Sequence, residues 1–205
     1  MDIKIGIDEA GRGPWAGPVF AGLVVLTKEQ QSKLSDLGIN DSKKLSVKKR
    51  DSLYPAILEN STYCKVKYLS AEDIDKIGIY KATQKLIQLL ACDLATNMPQ
   101  LFTNPGTNIL IDGQFPGLKL LDEKSRILSH ECIIKGDEKE PSISAASILA
   151  KVRRDEYMTK LALKYPNYQF EKHKGYGTKL HMEMLQKYGL CEEHRRSFKP
   201  IQKFL

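Results

Sequence analysis

The stretch whose reading decides the fold is Ile3-Lys4-Ile5-Gly6-Ile7-Asp8-Glu9-Ala10-Gly11-Arg12-Gly13-Pro14. Its first five residues, with isoleucine at every second position, read as a strand over 3–7. The run ends in two adjacent carboxylates, Asp8 and Glu9, followed by a turn with glycines on both sides of Arg12. Carboxylates at a strand end can bind a divalent cation. Glycines let the backbone come close to a ligand, and an arginine suits a phosphate. One stretch therefore sets metal ligands beside a contact for a polynucleotide backbone.

Working outward, Pro18 to Leu26 is an apolar run that predicts a second, buried strand. The short connection predicts that it pairs antiparallel with the first. Asn40-Asp41-Ser42-Lys43-Lys44-Leu45 reads as a loop, and Ser46 as the cap of a helix through Leu53 that Pro55 limits or kinks. In that loop a solvated lysine is the favoured reading for Lys44 but not for Lys43. Residues 62–69 alternate like a strand, and Ser70-Ala71-Glu72-Asp73 resembles a capped helix start. Between Ile79 and Asn97, Ile79, Ala82, Leu86, Leu89, Leu90 and Leu94 recur at helical spacing, which predicts a long amphipathic helix packed on a sheet.

Two later segments repeat the pattern of the first. Asn108-Ile109-Leu110-Ile111-Asp112-Gly113 and Glu131-Cys132-Ile133-Ile134-Lys135-Gly136-Asp137 both read as strands with an acid at the C-terminal end. A single strand-end aspartate is usually a turn former. Three in one chain favour a shared anionic pocket. Mutual repulsion would make such a pocket costly unless cations occupy it, and hard cations such as Mg²⁺ and Mn²⁺ prefer oxygen ligands. Asp8, Glu9, Asp112 and Asp137 supply such donors. In phosphodiester hydrolysis one ion can activate water and a second, roughly 4 Å away, can stabilise the leaving oxygen.

Residues 142–155 are rich in small side chains and predict a helix pressed closely on the sheet with a basic exposed face. Asp155 on it is best read as an ion-pair partner of a neighbouring cation. Tyr165-Pro166-Asn167 breaks that helix and divides the chain into a catalytic unit, 1–165, and a small helical C-terminal extension, 166–205. Within the extension, His173-Lys174-Gly175-Tyr176-Gly177-Thr178 presents a tyrosine between two glycines. A basic, glycine-rich loop argues for an exposed ring suited to stacking on a sugar or base. Thr178 is a candidate cap for a following helix.

The totals suit one good-sized core or a core plus a small appendage: 205 residues, 41% apolar, with 32 basic and 25 acidic side chains giving a net charge of +7. That charge favours an anionic partner. No 18-residue apolar run is present and the N-terminus is unlike a secretion signal, so a cytoplasmic protein is expected. Cys64, Cys92, Cys132 and Cys191 are widely spaced and read as reduced thiols. His130, His173, His181 and His194 lack compact zinc spacing. A Walker loop is excluded because no Gly-Lys-Ser/Thr follows Gly11-Arg12-Gly13, and no Gly-x-Ser-x-Gly elbow occurs.

Six motifs in order resemble ribonuclease HII: 8–14 (Asp-Glu-Ala-Gly-Arg-Gly-Pro), 40–45 (Asn-Asp-Ser-Lys-Lys-Leu), 111–113 (Ile-Asp-Gly), 135–137 (Lys-Gly-Asp), 144–152 (Ser-Ala-Ala-Ser-Ile-Leu-Ala-Lys-Val) and 173–178 (His-Lys-Gly-Tyr-Gly-Thr). The resemblance implies an α/β, ribonuclease H-like fold: a mixed central sheet flanked by helices, with the small helical extension. It implies an endonuclease that cuts the RNA strand of RNA–DNA hybrids and incises 5′ to a ribonucleotide embedded in duplex DNA, leaving 3′-hydroxyl and 5′-phosphate ends, a DNA repair and primer-removal activity. It implies that Asp8, Glu9, Asp112 and Asp137 are catalytic metal ligands for Mn²⁺ or Mg²⁺. It further implies that Gly11, Arg12 and Gly13 sense the ribose 2′-hydroxyl, that Tyr176 stacks on the neighbouring sugar, and that Lys43 contacts a phosphate. The sister family, ribonuclease HIII, typically carries a lysine where Arg12 stands. Nothing in the sequence suggests more than a monomer. The tail, Gln202-Lys203-Phe204-Leu205, faintly resembles a sliding-clamp docking peptide, although a frayed terminus is the favoured reading.

Overall fold

The computed structural model describes residues 3–39, 44–103 and 106–205. Strand β1 (Ile3–Ala10) is followed by β2 (Val19–Thr27), α1 (Lys28–Asp36), α2 (Val47–Glu59), β3 (Tyr63–Leu69), α3 (Ala71–Ile77) and α4 (Ile79–Asn97). Then come β4 (Ile109–Asp112), the short hairpin β5 (Leu120–Leu121) and β6 (Ile127–Leu128), β7 (His130–Ile133), α5 (Gly136–Lys139) and α6 (Pro141–Lys164). Helices α7 (Phe170–His173), α8 (Lys179–Tyr188) and α9 (Lys199–Gln202) complete the chain. The main sheet has the order β3-β2-β1-β4-β7. β1 pairs antiparallel with β2 and parallel with β4, and β4 pairs parallel with β7, so the sheet is mixed as expected.

The two faces of β1 divide the molecule. Ile5 and Ile7 point to one side, where they are fully buried with Leu23, Val25, Leu86, Leu90 and Leu94. This is the amphipathic helix α4 laid on the sheet, and each such aliphatic side chain contributes about 1.5–3 kcal/mol by leaving water. Gly6 faces the other side. A Cβ there would stand 2.2 Å from the Ser142 carbonyl carbon, and one on Gly22 would stand 2.4 Å from the Ala146 oxygen. The two glycines are what let the α6 backbone lie directly on β1 and β2, which explains the small residues of that helix. Cα-level packing this close brings α6 side chains within reach of the end of β1.

Several boundaries depart from expectation. β1 runs three residues beyond Ile7, because Glu9 and Ala10 continue the ladder opposite Ala21 and Phe20. Asp8 and Glu9 thus lie inside the strand. Helix α2, capped by the Ser46 hydroxyl, continues through Pro55 to Glu59. Pro55 has no N–H to offer the Asp51 carbonyl, and Asp51 is exposed to solvent. The third acid-bearing segment is not a strand up to its acid: β7 stops at Ile133, Lys135 takes a left-handed conformation at φ 55°, and Asp137 falls in the first turn of α5. On helix α6 Arg153 is exposed and Lys151 half-buried, but Arg154 is not on the outer face: it is fully buried. Asp155 does pair with Lys151, at 2.6 Å.

A third apolar cluster joins Ala16 and Met158 to Tyr168, Phe170, Leu185 and Ile201, so residues beyond Pro166 pack on the end of α6 and on the loop after β1. Pro166 does end α6 as predicted. The tail continues from a short helix: Ile201 is fully buried in α9, the Phe204 and Leu205 amides donate back to Ile201 and Gln202, and the Leu205 side chain is exposed. All four cysteines are free thiols. Among the described residues no helix is long and apolar enough to cross a membrane.

Candidate active site

Asp8, Asp112 and Asp137 converge. Each offers a carboxylate oxygen, and the three lie within 4.8 Å of one another. Three different elements deliver them. Asp8 comes from β1, its carboxylate accepting the Glu9 amide at 2.7 Å and a hydrogen bond from the Ser147 hydroxyl of α6. Asp112 is the last residue of β4, paired in parallel beside β1. It accepts the Gly136 amide at 2.6 Å, which fastens the start of α5 to the end of β4. Asp137 is held through its own carbonyl, which accepts the Ser144 hydroxyl at 2.6 Å. Helix α6 therefore supports two of the three acids through serines one turn apart.

The pocket concentrates negative charge. Burial raises the Asp8 carboxyl well above the ordinary carboxylate range, and the negative charges of Glu9 and Asp112 raise it further. Asp8 and Asp137 are buried and Asp112 half-buried. A buried all-oxygen cluster of this charge fits a hard divalent cation. Glu9 is not one of the three converging groups. Its carboxylate pairs with Arg12 at 3.4 Å, and its charge acts on Asp8 more strongly than that of Asp112.

The glycine turn and the tyrosine loop interlock beside the acids. Gly11 has φ +97°, and a Cβ there would stand 2.2 Å from the Arg154 Nε. Gly13 and Arg12 are exposed, and the Gly13 Cβ position is 3.9 Å from the Tyr176 ring. Tyr176 is 43% exposed, as its loop predicted, and its ring lies 5.5 Å from the buried Arg154 guanidinium. Gly177 admits the Trp15 indole, since a Cβ on it would stand 2.1 Å away, and the Trp15 amide donates to the Gly175 carbonyl at 2.8 Å. Lys43 lies outside the described residues. Lys44 is an ion-pair partner of Glu138, at 3.3 Å, next to Asp137.

Two groups of residues were not visible as parts of a site in the sequence. The first is a trio of buried imidazoles under the Tyr176 loop. His181 Nδ1 lies 3.0 Å from the Tyr176 carbonyl and must donate to it, so His181 Nε2 accepts from His194 Nε2 at 3.1 Å. His194 Nδ1 then accepts the Cys191 amide at 2.9 Å. His173 donates from Nε2 to the Tyr168 carbonyl at 2.8 Å and accepts the Gly175 amide at Nδ1. Every ring is satisfied as a neutral tautomer. Burial accordingly pulls His181 down to about 3 and His194 to about 4. The second is Arg195, fully buried beneath the glycine turn, where burial and neighbouring Arg154 lower it to about 9. Its only sequence signal was the basic run ahead of Phe198, which reads equally well as a solvated tail.

Comparison with known proteins agrees with this architecture. The family model for ribonuclease HII matches residues 5–201. Ribonuclease HII of Caldicellulosiruptor bescii is 46% identical over 194 residues, covering 94% of this chain and 84% of the relative. That of Francisella tularensis is 44% identical over 203 residues, covering 99% and 98%. Among solved structures, ribonuclease H2 of Pyrococcus horikoshii superposes with a TM-score of 0.74 at 27% identity, covering 98% of this chain and 96% of that one. The ribonuclease HII of Archaeoglobus fulgidus, solved in complex with PCNA, superposes at 0.75 with 25% identity, covering 96% and 95%. A match that runs from the first strand to the last helix, on a sheet that gathers three acids at one end, makes this chain a hydrolytic nuclease of the ribonuclease HII family.

Proposed function

We propose that the protein is a divalent-metal-dependent endoribonuclease that hydrolyses the RNA strand of RNA–DNA hybrids and incises 5′ to ribonucleotides embedded in duplex DNA, leaving 3′-hydroxyl and 5′-phosphate ends. The observation that carries this reading is the convergence of Asp8, Asp112 and Asp137 within 4.8 Å, next to an exposed glycine turn and an exposed tyrosine. Mg²⁺ or Mn²⁺, singly or as a pair, would supply an activated water and shielding of the scissile phosphate. The three aspartates would hold the cation, and Glu9, whose charge already acts on Asp8, would complete the acidic set.

The other residues bind and select. Gly11, Arg12 and Gly13 present backbone to the ribose, where a 2′-hydroxyl separates RNA from DNA. Tyr176 offers an aromatic face to the adjoining sugar, with the Arg154 cation behind it. Lys43 contacts a substrate phosphate. The enzyme acts as a cytoplasmic monomer in ribonucleotide removal, with residues 166–205 as a substrate-contacting extension. Association with a sliding clamp draws support from the PCNA complex solved for the Archaeoglobus protein.

The test is incubation with a duplex bearing one ribonucleotide, in Mg²⁺ or Mn²⁺, with the nick mapped to the nucleotide. Cleavage 5′ to the ribonucleotide is expected, with none in an all-DNA duplex. Cutting of the all-DNA control would point to another nuclease chemistry on the same fold, and salt-sensitive binding without cutting would leave only a nucleic-acid binding protein.

A further inference from the structure

Residues 193–195 reach back across almost the whole chain to the turn after β1. The Gly17 amide donates to the Glu193 carbonyl at 2.8 Å, and the Arg195 amide donates to the Trp15 carbonyl at 2.8 Å. The Arg195 side chain then spreads over the turn from beneath. Nε donates to the Gly17 carbonyl at 2.8 Å, one terminal nitrogen to the Arg12 carbonyl at 3.0 Å, and the other to the Gly11 carbonyl at 2.7 Å. Three carbonyls of one loop are held by a single planar, fully buried guanidinium.

This has a geometric effect on the upper side of the turn. A trans peptide is planar, and its C=O and N–H point in opposite directions. Drawing the Gly11 carbonyl toward Arg195 turns the Arg12 N–H away from it, and drawing the Arg12 carbonyl inward does the same for the Gly13 N–H. Neither N–H has a hydrogen-bond partner among the described residues. Both belong to exposed residues, and Gly13 borders the Tyr176 ring. A positive charge behind the carbonyls also polarises the amides in the sense that strengthens them as donors.

We infer that Arg195 is the positioning residue of the ribose-sensing turn, aiming the Arg12 and Gly13 amides as a paired donor at an oxygen of the substrate ribose. The inference rests on the proposed role of that turn and adds the group that sets its orientation. Arg195 itself touches no substrate. Lysine at this position keeps the charge but offers a single point of donation, so it cannot hold three carbonyls at once.

The test uses the full chain in Ca²⁺, with two 12-base-pair DNA duplexes that differ only in one ribose. Binding of both duplexes is compared for the unaltered protein and Arg195→Lys. The unaltered protein prefers the ribose-containing duplex. Arg195→Lys loses about tenfold of that preference while its affinity for the all-DNA duplex stays within about twofold. An unchanged preference in a folded Arg195→Lys variant overturns the inference and leaves the ribose-sensing reading standing. Absence of any preference in the unaltered protein overturns both. A measurement that needs no variant runs alongside: the amide resonances of Arg12 and Gly13 shift on adding the ribose-containing duplex and not on adding its all-DNA twin. Equal shifts with both duplexes also overturn it.

Discussion

Asp112 Oδ1 accepts the Gly136 amide at 2.6 Å, so the end of β4 and the start of α5 are tied together at one of the three converging carboxylates. The same group is a candidate ligand and a fastening for the segment that carries Asp137. These two roles separate in Asp112→Asn, whose amide oxygen still accepts from Gly136 but whose charge is gone. The variant should melt within a few degrees of the unaltered protein and bind Mn²⁺ at least about a hundredfold more weakly by calorimetry. Hydrolysis should fall in parallel. Retained Mn²⁺ affinity in a folded Asp112→Asn protein would remove this carboxylate from the metal site.

Charge repulsion among buried acids also predicts a thermal signature. Burial and the charges of Glu9 and Asp112 raise the Asp8 carboxyl, which marks its ionised form as unfavourable in the metal-free fold. A chelator should therefore abolish hydrolysis and lower the melting temperature together. Mg²⁺ or Mn²⁺ at a hundred times its dissociation constant should stabilise the fold by about 2.7 kcal/mol, or roughly 5–10 °C for a chain of this size. Asp8→Asn should melt higher than the unaltered protein without metal and respond weakly when metal is added. A cation-induced shift of undiminished size in Asp8→Asn would contradict the account.

Tyr176 is anchored by its backbone and free at its ring. The ring is 43% exposed, so Tyr176→Ala should cost less than about 1 kcal/mol of stability in urea titration. Loss of a stacking face should instead reduce cutting at a single ribonucleotide by about ten- to a hundredfold, with Tyr176→Phe close to normal. Equal, small losses for Ala and Phe would mean that the ring does not stack.

How much of this could be read in advance depended on whether the information was local. Helix α4 was legible to the residue because its stripe from Ile79 to Leu94 is periodic. The strand carrying Asp8 was legible in type but not in length, because only the tertiary pairing of Glu9 and Ala10 with β2 extends it. Asp137 was misplaced on a strand end because the chain reverses at Lys135, a left-handed residue with no local turn signature such as Asn-Gly. Arg154 and Arg195 looked like surface charge. Their burial depends on Gly11 having no side chain and on carbonyls supplied from 184 residues away. Cations in a core are paired by long-range contacts, which composition does not reveal.

The imidazole trio gives a pH dependence whose sign follows from its hydrogen bonds. His181 and His194 share one proton across 3.1 Å, so protonating both rings would set two N–H donors against each other. Their folded values, about 3 and about 4, lie below the ~6.5 of an unfolded histidine. Above pH 6.5 both states are neutral and these groups contribute no pH dependence. As pH falls below 6.5 the unfolded chain takes up two protons that the fold refuses, and stability is lost until the folded values are reached. The slope approaches about 1.4 kcal/mol per pH unit for each ring, or roughly 2 kcal/mol per ring at pH 5. Raised Asp8 works in the opposite sense, favouring the fold as pH falls, so the useful quantity is a difference between proteins. Urea midpoints of the unaltered protein and His181→Gln at pH 7.5 and 5.0 supply it. The variant is less stable at pH 7.5, because the donor to the Tyr176 carbonyl is altered, yet it should lose about 2 kcal/mol less between the two pH values, while His194 and His173, both lowered by burial, still act in it. Equal losses in both proteins would show that His181 already carries its second proton in the fold.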